Sequence, residues 1–259
     1  MKIEEISPHG MCAGVRTAVD LAMRHRGAYC LHSLVHNEMV VGDLKALGYR
    51  FVEDVEDIPD GAVVVFSAHG VSPAVRARAE EKCLEIVDAT CPFVARSHRA
   101  VRDFCARSLP VVVIGDPEHV EVKGLLGEIP EPREPVKGER IGVVSQTTLD
   151  ADEVRRRVEE LRRDYVVEGV AEVCTATKER QDAVRAFDGD AVLVLGSRNS
   201  SNTRRLCEVA KCRSFIAGCM DDVKALLDEL ENFERVGVTS GASTPERFFR
   251  SVVDFLGQR

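Results

Sequence analysis

Residues 86–98 read IVDATCPFVARSH and set a cysteine between an apolar run and a helical pattern. The apolar run ends at Val87, and from Val94 onward apolar residues recur at helical spacing. Pro92 suits the first turn of a helix, where its missing N–H costs nothing. Cys91 is therefore predicted at a helix N-terminus, where unpaired N–H groups and the helix dipole favour the thiolate that ligates metals.

Two further stretches place a cysteine in the same way. Residues 6–19, ISPHGMCAGVRTAV, carry Cys12, and residues 170–187, VAEVCTATKERQDAVRAF, carry Cys174. The intervals are 91 − 12 = 79 and 174 − 91 = 83 residues, which indicates three copies of a unit of about 80 residues. We predict three α/β domains, and their bounds are residues 1–90, 91–171, and 172–259 with a C-terminal segment.

The composition indicates the cellular compartment and excludes some classes of partner. A formal net charge of −8 and the absence of a basic run argue against nucleic acid or an anionic membrane surface as partner. No run of about 18 apolar residues predicts a membrane span, and the first residues lack the apolar core of a signal peptide. We therefore expect a cytoplasmic protein, whose nine cysteines serve metal binding or burial rather than disulfides.

Within each unit, short apolar strands alternate with polar loops and amphipathic helices, as in residues 62–83, AVVVFSAHGVSPAVRARAEEKC. Continuous apolar runs are typical of parallel strands covered on both faces, and open α/β sheets bind ligands at the carboxyl ends of their strands. We predict an α/β fold in which three similar domains form a pseudo-threefold trefoil around one buried site. The candidate site residues in these loops are His36, His69, His119, Glu121, Thr147, Ser200, Ser201, Asn202 and Ser243.

If the threefold arrangement holds, Cys12, Cys91 and Cys174 converge. Three thiolates do not complete a structural zinc site, but they suit an iron–sulfur cluster with one iron left open. The surrounding hydroxyls, amides, imidazoles and helix N-termini suit a phosphate or diphosphate. Glu121 is the natural proton donor, provided that burial raises its pKa.

These residues and the motifs around them resemble the LytB family, whose members are 4-hydroxy-3-methylbut-2-enyl diphosphate reductases. The resemblance covers nearly the whole chain and keeps the order of the motifs. After the turn at Cys12, these are VHN at 35–37, FSAHGVSP at 66–73, VDATCP at 87–92, HVEV at 119–122, QTTL at 146–149, CTATKERQDAV at 174–184, GSRNSSNTRRL at 196–206 and GVTSGASTP at 237–245. Each motif alone is weak, but so many in order are highly specific.

The resemblance implies a trefoil of three α/β domains around a [4Fe-4S] cluster held by Cys12, Cys91 and Cys174. It also implies a reductive dehydroxylation, in which two electrons and protons remove the substrate hydroxyl as water. The products are isopentenyl and dimethylallyl diphosphate, and the reaction is the last step of non-mevalonate isoprenoid biosynthesis. Ferredoxin or flavodoxin is the electron donor that the resemblance implies.

The resemblance also implies a role for each candidate residue. Glu121 heads proton delivery, with Thr147 near the substrate hydroxyl and His119 beside them in the catalytic set. The residues expected to bind substrate are Thr147 and the diphosphate-binding group His36, His69, His119, Ser200, Ser201, Asn202 and Ser243.

This chain departs from the family pattern in the wall of the expected pocket. The departures are Met11 and Ala13 beside the first cysteine, Asp116 and Val120 around the HVEV motif, and Thr175 after the third cysteine. Two alternatives therefore stay open: a related [4Fe-4S] enzyme acting on another small substrate, and a non-catalytic cluster protein for electron transfer or iron sensing. Glu121 and Thr147 count against the second alternative, because electron transfer needs neither.

The remaining six cysteines match no paired-ligand pattern and are interpreted as core or near-surface thiols. They are Cys30, Cys83, Cys105, Cys207, Cys212 and Cys219.

Overall fold

The computed structural model describes residues 1–258 and contains eleven strands and eleven α-helices over that range. The strands are β1 (Lys2–Glu5), β2 (Tyr29–Leu31), β3 (Arg50–Val52), β4 (Val63–Phe66), β5 (Glu85–Asp88), β6 (Val111–Ile114), β7 (Arg140–Ser145), β8 (Val166–Ala171), β9 (Ala191–Leu195), β10 (Arg213–Ala217) and β11 (Arg235–Ser240). The helices are α1 (Ala13–Ala22), α2 (Glu38–Ala46), α3 (Pro73–Glu81), α4 (Pro92–Ala106), α5 (Val120–Leu126), α6 (Ala151–Leu161), α7 (Thr175–Ala186), α8 (Ser201–Val209), α9 (Met220–Ala225), α10 (Leu227–Leu230) and α11 (Glu246–Gly257).

The strands form three sheets, with the orders β1-β11-β9-β10, β3-β2-β4-β5 and β6-β7-β8. Every strand pair in these sheets is parallel. Parallel neighbours require a crossover connection, which the intervening helices provide. The predicted α/β class with parallel sheets is therefore confirmed.

The first strand lies in the sheet of the C-terminal strands. β1 pairs with β11 in the register Lys2↔Arg235 to Glu5↔Val238. The prediction assigned this strand to the domain of residues 1–90 because of its place in the sequence. Strand pairing instead depends on which strand lies next to it in the folded chain. The domain boundaries at residues 90 and 171 stay a prediction.

The internal contacts of the chain define two compact units. Met1–Val15, His36–Gly42 and the chain from Thr175 onward form one unit, and Arg16–Val35 with Asp43–Cys174 form the other. The first unit contains the sheet β1-β11-β9-β10, and the second contains the other two sheets.

Buried central strands explain the continuous apolar runs in the sequence. All five residues of β9 are fully buried, since α11 covers this sheet with Phe249, Val252 and other side chains at helical spacing. In the second unit, β7 carries the fully buried Ile141 and Val143. Burial on both faces makes period-2 alternation unnecessary.

Within the described 258 residues, we find no helix with the length and apolarity needed to span a membrane.

Candidate active site

The first cysteine lies where the chain turns into α1. The Cys12 backbone N–H donates to the Ala242 carbonyl at 3.0 Å, and the Val15 N–H donates to Cys12 Sγ at 3.5 Å. The sulfur thus accepts a hydrogen bond from the first turn of the helix. Such N–H to sulfur bonds stabilise a thiolate and are among the protein contacts that tune iron–sulfur clusters.

The other two cysteines also precede helices, as predicted. Cys91 is the N-cap of α4, Pro92 is the first residue of that helix, and the Cys91 N–H donates to the Ala68 carbonyl at 3.0 Å. Cys174 precedes α7 by one residue, and its N–H donates to the Thr147 carbonyl at 3.1 Å. These backbone bonds connect each cysteine to a loop that carries a candidate site residue.

A buried carboxyl group lies at the start of α5. Glu121 is 1% exposed, its Oε1 accepts from the Thr147 N–H at 2.6 Å, and its Oε2 accepts from Thr147 Oγ1 at 3.0 Å. Desolvation raises the pKa of Glu121 from 4.5 to about 7, against the opposing effect of the two hydrogen bonds from Thr147. The burial that a proton donor requires is therefore present.

Two histidines lie beside each other in the same unit. His69 follows β4 and His119 follows β6, and their rings are 5.7 Å apart in an edge-to-face arrangement. His119 is the N-cap of α5, where its Nδ1 accepts the Glu121 N–H at 3.2 Å. Because a backbone N–H can only donate, the neutral His119 ring carries its proton on Nε2.

Gln146 organises the loop after β7, although its sequence pattern alone predicted no role for it. It is buried, its Oε1 accepts from the Asp116 N–H at 3.1 Å, and its Nε2 donates to Thr148 Oγ1 at 2.9 Å. Gln146 thus links the loops that follow β6 and β7. Its place beside Thr147 in the QTTL motif was the one sequence feature that could have indicated this role.

The remaining candidate site residues lie in the unit that contains the sheet β1-β11-β9-β10. Ser200 is the N-cap of α8 and accepts the Thr203 N–H at 3.4 Å, and Ser201 and Asn202 are buried in the first turn. The Asn202 amide oxygen and nitrogen are both buried and have no hydrogen-bond partner among residues 1–258. Because buried polar atoms are nearly always paired, Asn202 fits a residue that completes its bonding with a ligand.

His36 and Ser243 belong to this second group. Ser243 Oγ donates to the His36 carbonyl at 3.1 Å, and Glu38 Oε1 accepts from Ser197 in the loop before α8 at 2.7 Å. Burial, together with the positive charge of Arg204 on α8, lowers the pKa of His36. The imidazole is therefore neutral at neutral pH.

The structure thus places the candidates in two groups, one in each unit. Cys91, Cys174, His69, His119, Glu121 and Thr147 belong to one unit, and Cys12, His36, Ser200, Ser201, Asn202 and Ser243 belong to the other.

Thiols are the donor groups that iron–sulfur clusters use. Within residues 1–258, no three His, Cys, Asp or Glu side chains are grouped as ligands of one metal ion. In an iron–sulfur cluster each cysteine binds a different iron, so the thiols need not meet at one point. Cys12, Cys91 and Cys174 are half-buried, whereas Cys30 is sealed in the core, where burial raises its pKa to about 12. Cys12, Cys91 and Cys174 therefore combine partial exposure with a place at a helix start, whereas Cys219, the N-cap of α9, is exposed.

Parallel α/β sheets, thiols at helix starts and a buried carboxyl group define the class of the protein as an α/β enzyme suited to an iron–sulfur cofactor. Residues 3–257 match the family model described as LytB protein. The chain belongs to the LytB family, which is a family of iron–sulfur oxidoreductases.

Relatives and solved structures agree with this membership. The chain is 42% identical to the 4-hydroxy-3-methylbut-2-enyl diphosphate reductase of Tolumonas auensis, covering 100% of this chain and 92% of that protein. It is 40% identical to the enzyme of the same name from Acidothermus cellulolyticus, over 97% of this chain and 81% of that one.

A solved reductase from Plasmodium falciparum, named E-1-hydroxy-2-methyl-but-2-enyl-4-diphosphate reductase, superposes with a TM-score of 0.91 and 30% identity, over 98% of this chain and 87% of that one. A second solved structure is described as (E)-4-hydroxy-3-methyl-but-2-enyl diphosphate reductase, the terminal enzyme of the non-mevalonate pathway. It superposes with a TM-score of 0.68 and 29% identity over 100% of both chains.

Proposed function

We propose that this chain reductively dehydroxylates 4-hydroxy-3-methylbut-2-enyl diphosphate. The substrate takes up two electrons and two protons, its C–O bond breaks, and the products are water and either isopentenyl or dimethylallyl diphosphate. The observation that carries the proposal is the buried Glu121 carboxyl, hydrogen-bonded to Thr147 and with a pKa raised to about 7. Electron transfer alone would not require such a group.

The proposed cofactor is a [4Fe-4S] cluster held by Cys12, Cys91 and Cys174. When bound, such a cluster supplies electrons and an iron position without a protein ligand. The thiols themselves support this ligand set, because each precedes a helix and the Cys12 sulfur already accepts an N–H bond.

The proposed proton route runs through Glu121 and Thr147. A carboxyl whose pKa is close to 7 is partly protonated at neutral pH, so it can both deliver a proton and take up another. The Thr147 hydroxyl donates to Glu121 Oε2 at 3.0 Å and can carry a proton between that carboxyl and the substrate oxygen. A departing hydroxyl needs this proton to leave as water.

The proposed diphosphate site uses imidazole, hydroxyl and amide groups. His119 is the N-cap of α5, where its Nδ1 accepts the Glu121 N–H, and His69 lies edge-to-face with it. Residues at the start of α8 contribute hydroxyl and amide groups together with a helix N-terminus. The proposed diphosphate ligands are His36, His69, His119, Ser200, Ser201, Asn202 and Ser243.

The electron donor is proposed to be ferredoxin or flavodoxin, and the location is proposed to be cytoplasmic. Both follow from the family resemblance and from the use of cysteines as reduced ligands.

Turnover tests the reaction. Anaerobically reconstituted protein is supplied with 4-hydroxy-3-methylbut-2-enyl diphosphate and a strong artificial reductant, and the products are separated by chromatography. We expect both five-carbon diphosphates. A protein that holds its cluster but forms neither product would overturn the proposal and direct the search to another substrate.

Iron content tests the ligand set. Serine replaces Cys12, Cys91 and Cys174 singly, and each variant is expected to retain less iron than the roughly four atoms per chain of a complete cluster. Cys83→Ser is the matched control because Cys83 is exposed and lies between α3 and β5 rather than at a helix start. Full iron content in any of the three test variants would remove that cysteine from the ligand set.

A further inference from the structure

A buried histidine outside the candidate site lies on α4. His98 is 5% exposed, and its Nδ1 lies within hydrogen-bond distance, 2.8 Å, of Glu128 Oε1. The same carboxyl oxygen accepts from Arg102 Nη1 at 2.7 Å. Glu128 lies just after the end of α5, so these bonds connect α4 to the end of α5. They also fix the direction of the imidazole ring.

The other edge of the His98 ring faces two glycines. A Cβ on Gly70, in the loop after β4, would lie 2.8 Å from His98 Nε2. A Cβ on Gly124 of α5 would lie 3.3 Å from Cε1 and 3.4 Å from Nε2 of the same ring. The imidazole therefore fills the space between the loop after β4 and α5.

This edge of the ring acts through its shape. The Nε2 atom is buried and has no hydrogen-bond partner within residues 1–258. Its contribution here is therefore the packing against Gly70 and Gly124. Because protein interiors are close-packed, a side chain of this size sets the spacing of the two elements that it separates.

Both of these elements carry a proposed diphosphate ligand. His69 directly precedes Gly70 in the loop after β4, and His119 is the N-cap of α5. The two imidazole rings are 5.7 Å apart in an edge-to-face arrangement. The spacing of the loop and the helix thus determines the distance between two groups that are proposed to bind the same ligand.

The start of α5 has a second anchor. The Glu121 carboxyl accepts two hydrogen bonds from Thr147, in the loop after β7. A change at His98 should therefore displace the loop that carries His69 more than it displaces Glu121.

We propose that His98 is a positioning residue for the diphosphate site. Its ring, oriented by Glu128, sets the distance between the loop that carries His69 and the helix that carries His119. This inference rests on the proposed function.

Two variants separate the two edges of the ring. His98→Asn keeps a polar group near the position of Nδ1, where it can still bond Glu128, but leaves the space beside Gly70 empty. His98→Gln places its amide near the position of Nε2 and refills that space. Arg99→Ala is the matched control, since Arg99 is the next residue of α4 and is exposed.

The measurements on the reconstituted protein are KM and kcat for the proposed substrate and the dissociation constant of inorganic pyrophosphate, which needs no turnover. We expect His98→Asn to raise KM and the dissociation constant about tenfold, since misplacing a group by about 1 Å can cost up to about 10²-fold. Its kcat should stay close to the wild-type value, because Glu121 keeps its bonds to Thr147. His98→Gln and Arg99→Ala should both stay close to the wild type in all three constants.

Wild-type values of KM and of the pyrophosphate dissociation constant in His98→Asn would overturn the inference. A loss of kcat or of iron content with both of these constants unchanged would do the same, because it would indicate a purely structural role. His98→Gln as impaired as His98→Asn would show that the space beside Gly70 does not matter, and would also overturn the inference.

Circular dichroism checks that His98→Asn folds. If it does not, Gly70→Ala takes its place, because the added methyl group would press on the ring from the loop; wild-type constants in that variant would overturn the inference. A wild-type protein that binds pyrophosphate but forms neither product would overturn the proposed reaction alone. One that does not bind pyrophosphate would overturn the proposed diphosphate site, and the inference with it.

Discussion

The surroundings of the Glu121 carboxyl determine its pKa. Burial disfavours the ionised form and raises its pKa to about 7, although two hydrogen bonds from Thr147 favour ionisation. The folded chain therefore binds this proton more tightly than the unfolded chain does. As a result, the contribution of Glu121 to stability falls as the pH rises from about 4.5 to about 7.

Replacing Glu121 by Gln tests the proton role. The amide has nearly the same shape, and its oxygen can still accept the Thr147 N–H, but it cannot deliver a proton at this pH. We expect kcat to fall by about 10²- to 10⁴-fold, which is the usual contribution of general acid catalysis. Iron content is measured in parallel and should be unchanged. Wild-type turnover by this variant would show that Glu121 does not deliver the proton.

Replacing Thr147 by Val tests whether its hydroxyl group lowers the pKa of Glu121. In the wild type, kcat/KM should fall as the pH rises past about 7, because the acid must be protonated in the free enzyme. The lost hydroxyl bond favoured the carboxylate, so its removal should move this fall to higher pH. Thr148→Val is the control, since its hydroxyl bonds Gln146 instead. A fall that stays in place or moves to lower pH would contradict this account.

At the scale of secondary structure, α4 lies directly on glycines of the sheet β6-β7-β8. A Cβ on Gly142 of β7 would overlap the Phe104 ring of α4, and a Cβ on Gly169 of β8 would lie 3.1 Å from the same ring. The missing side chains let the helix that begins after Cys91 approach the sheet closely. The position of this helix therefore depends on residues outside the candidate site.

Gly142→Ala should destabilise the protein by about 1–3 kcal/mol, the usual cost of overpacking a core. Adding Phe104→Leu should recover part of this loss, because the two residues are in contact and their effects are not additive. Gly42→Ala on α2 is the control: no atom lies within 4 Å of its Cβ, and the change should stabilise by about 0.5–1 kcal/mol. The measurement is denaturant unfolding, and wild-type stability of Gly142→Ala would refute the packing argument.

The strands and helices that the sequence indicated are those with long apolar or amphipathic patterns. The predicted pairs include β4 with α3, where Ser72 is the N-cap and Pro73 the first helical residue. Local sequence patterns did not indicate β1, β3 or β10. β1 has three charged residues among four, and β3 has only three residues. Such strands are stabilised by pairing with distant partners, which leaves no local pattern.

At the scale of the whole molecule, the proposed cluster joins chain positions that are 79 and 83 residues apart, from 91 − 12 and 174 − 91. A group that binds only the folded chain stabilises it by mass action. A cluster whose ligands are far apart in sequence also closes long loops, and closing such loops costs conformational entropy.

Anaerobic removal of iron by a chelator should therefore lower the melting temperature. We expect a decrease of at least about 4 °C, which corresponds to roughly 1–2 kcal/mol for a chain of this size. Differential scanning fluorimetry with and without chelator provides the measurement. Cys91→Ser, expected to lack a complete cluster, is the control and should show no decrease. An unchanged melting temperature in the wild-type protein would argue against a cluster that links these segments.

The sequence by itself determined the LytB family, the parallel α/β class and the three cysteines at helix starts, because ordered motifs and local patterns carry that information. Only the tertiary structure decided that β1 pairs with β11, that Glu121 is buried against Thr147, and that the His98 ring packs against Gly70 and Gly124. Each of these depends on residues far apart in the sequence. Burial, pKa and strand pairing follow from such long-range contacts, for which a single sequence has no local signal.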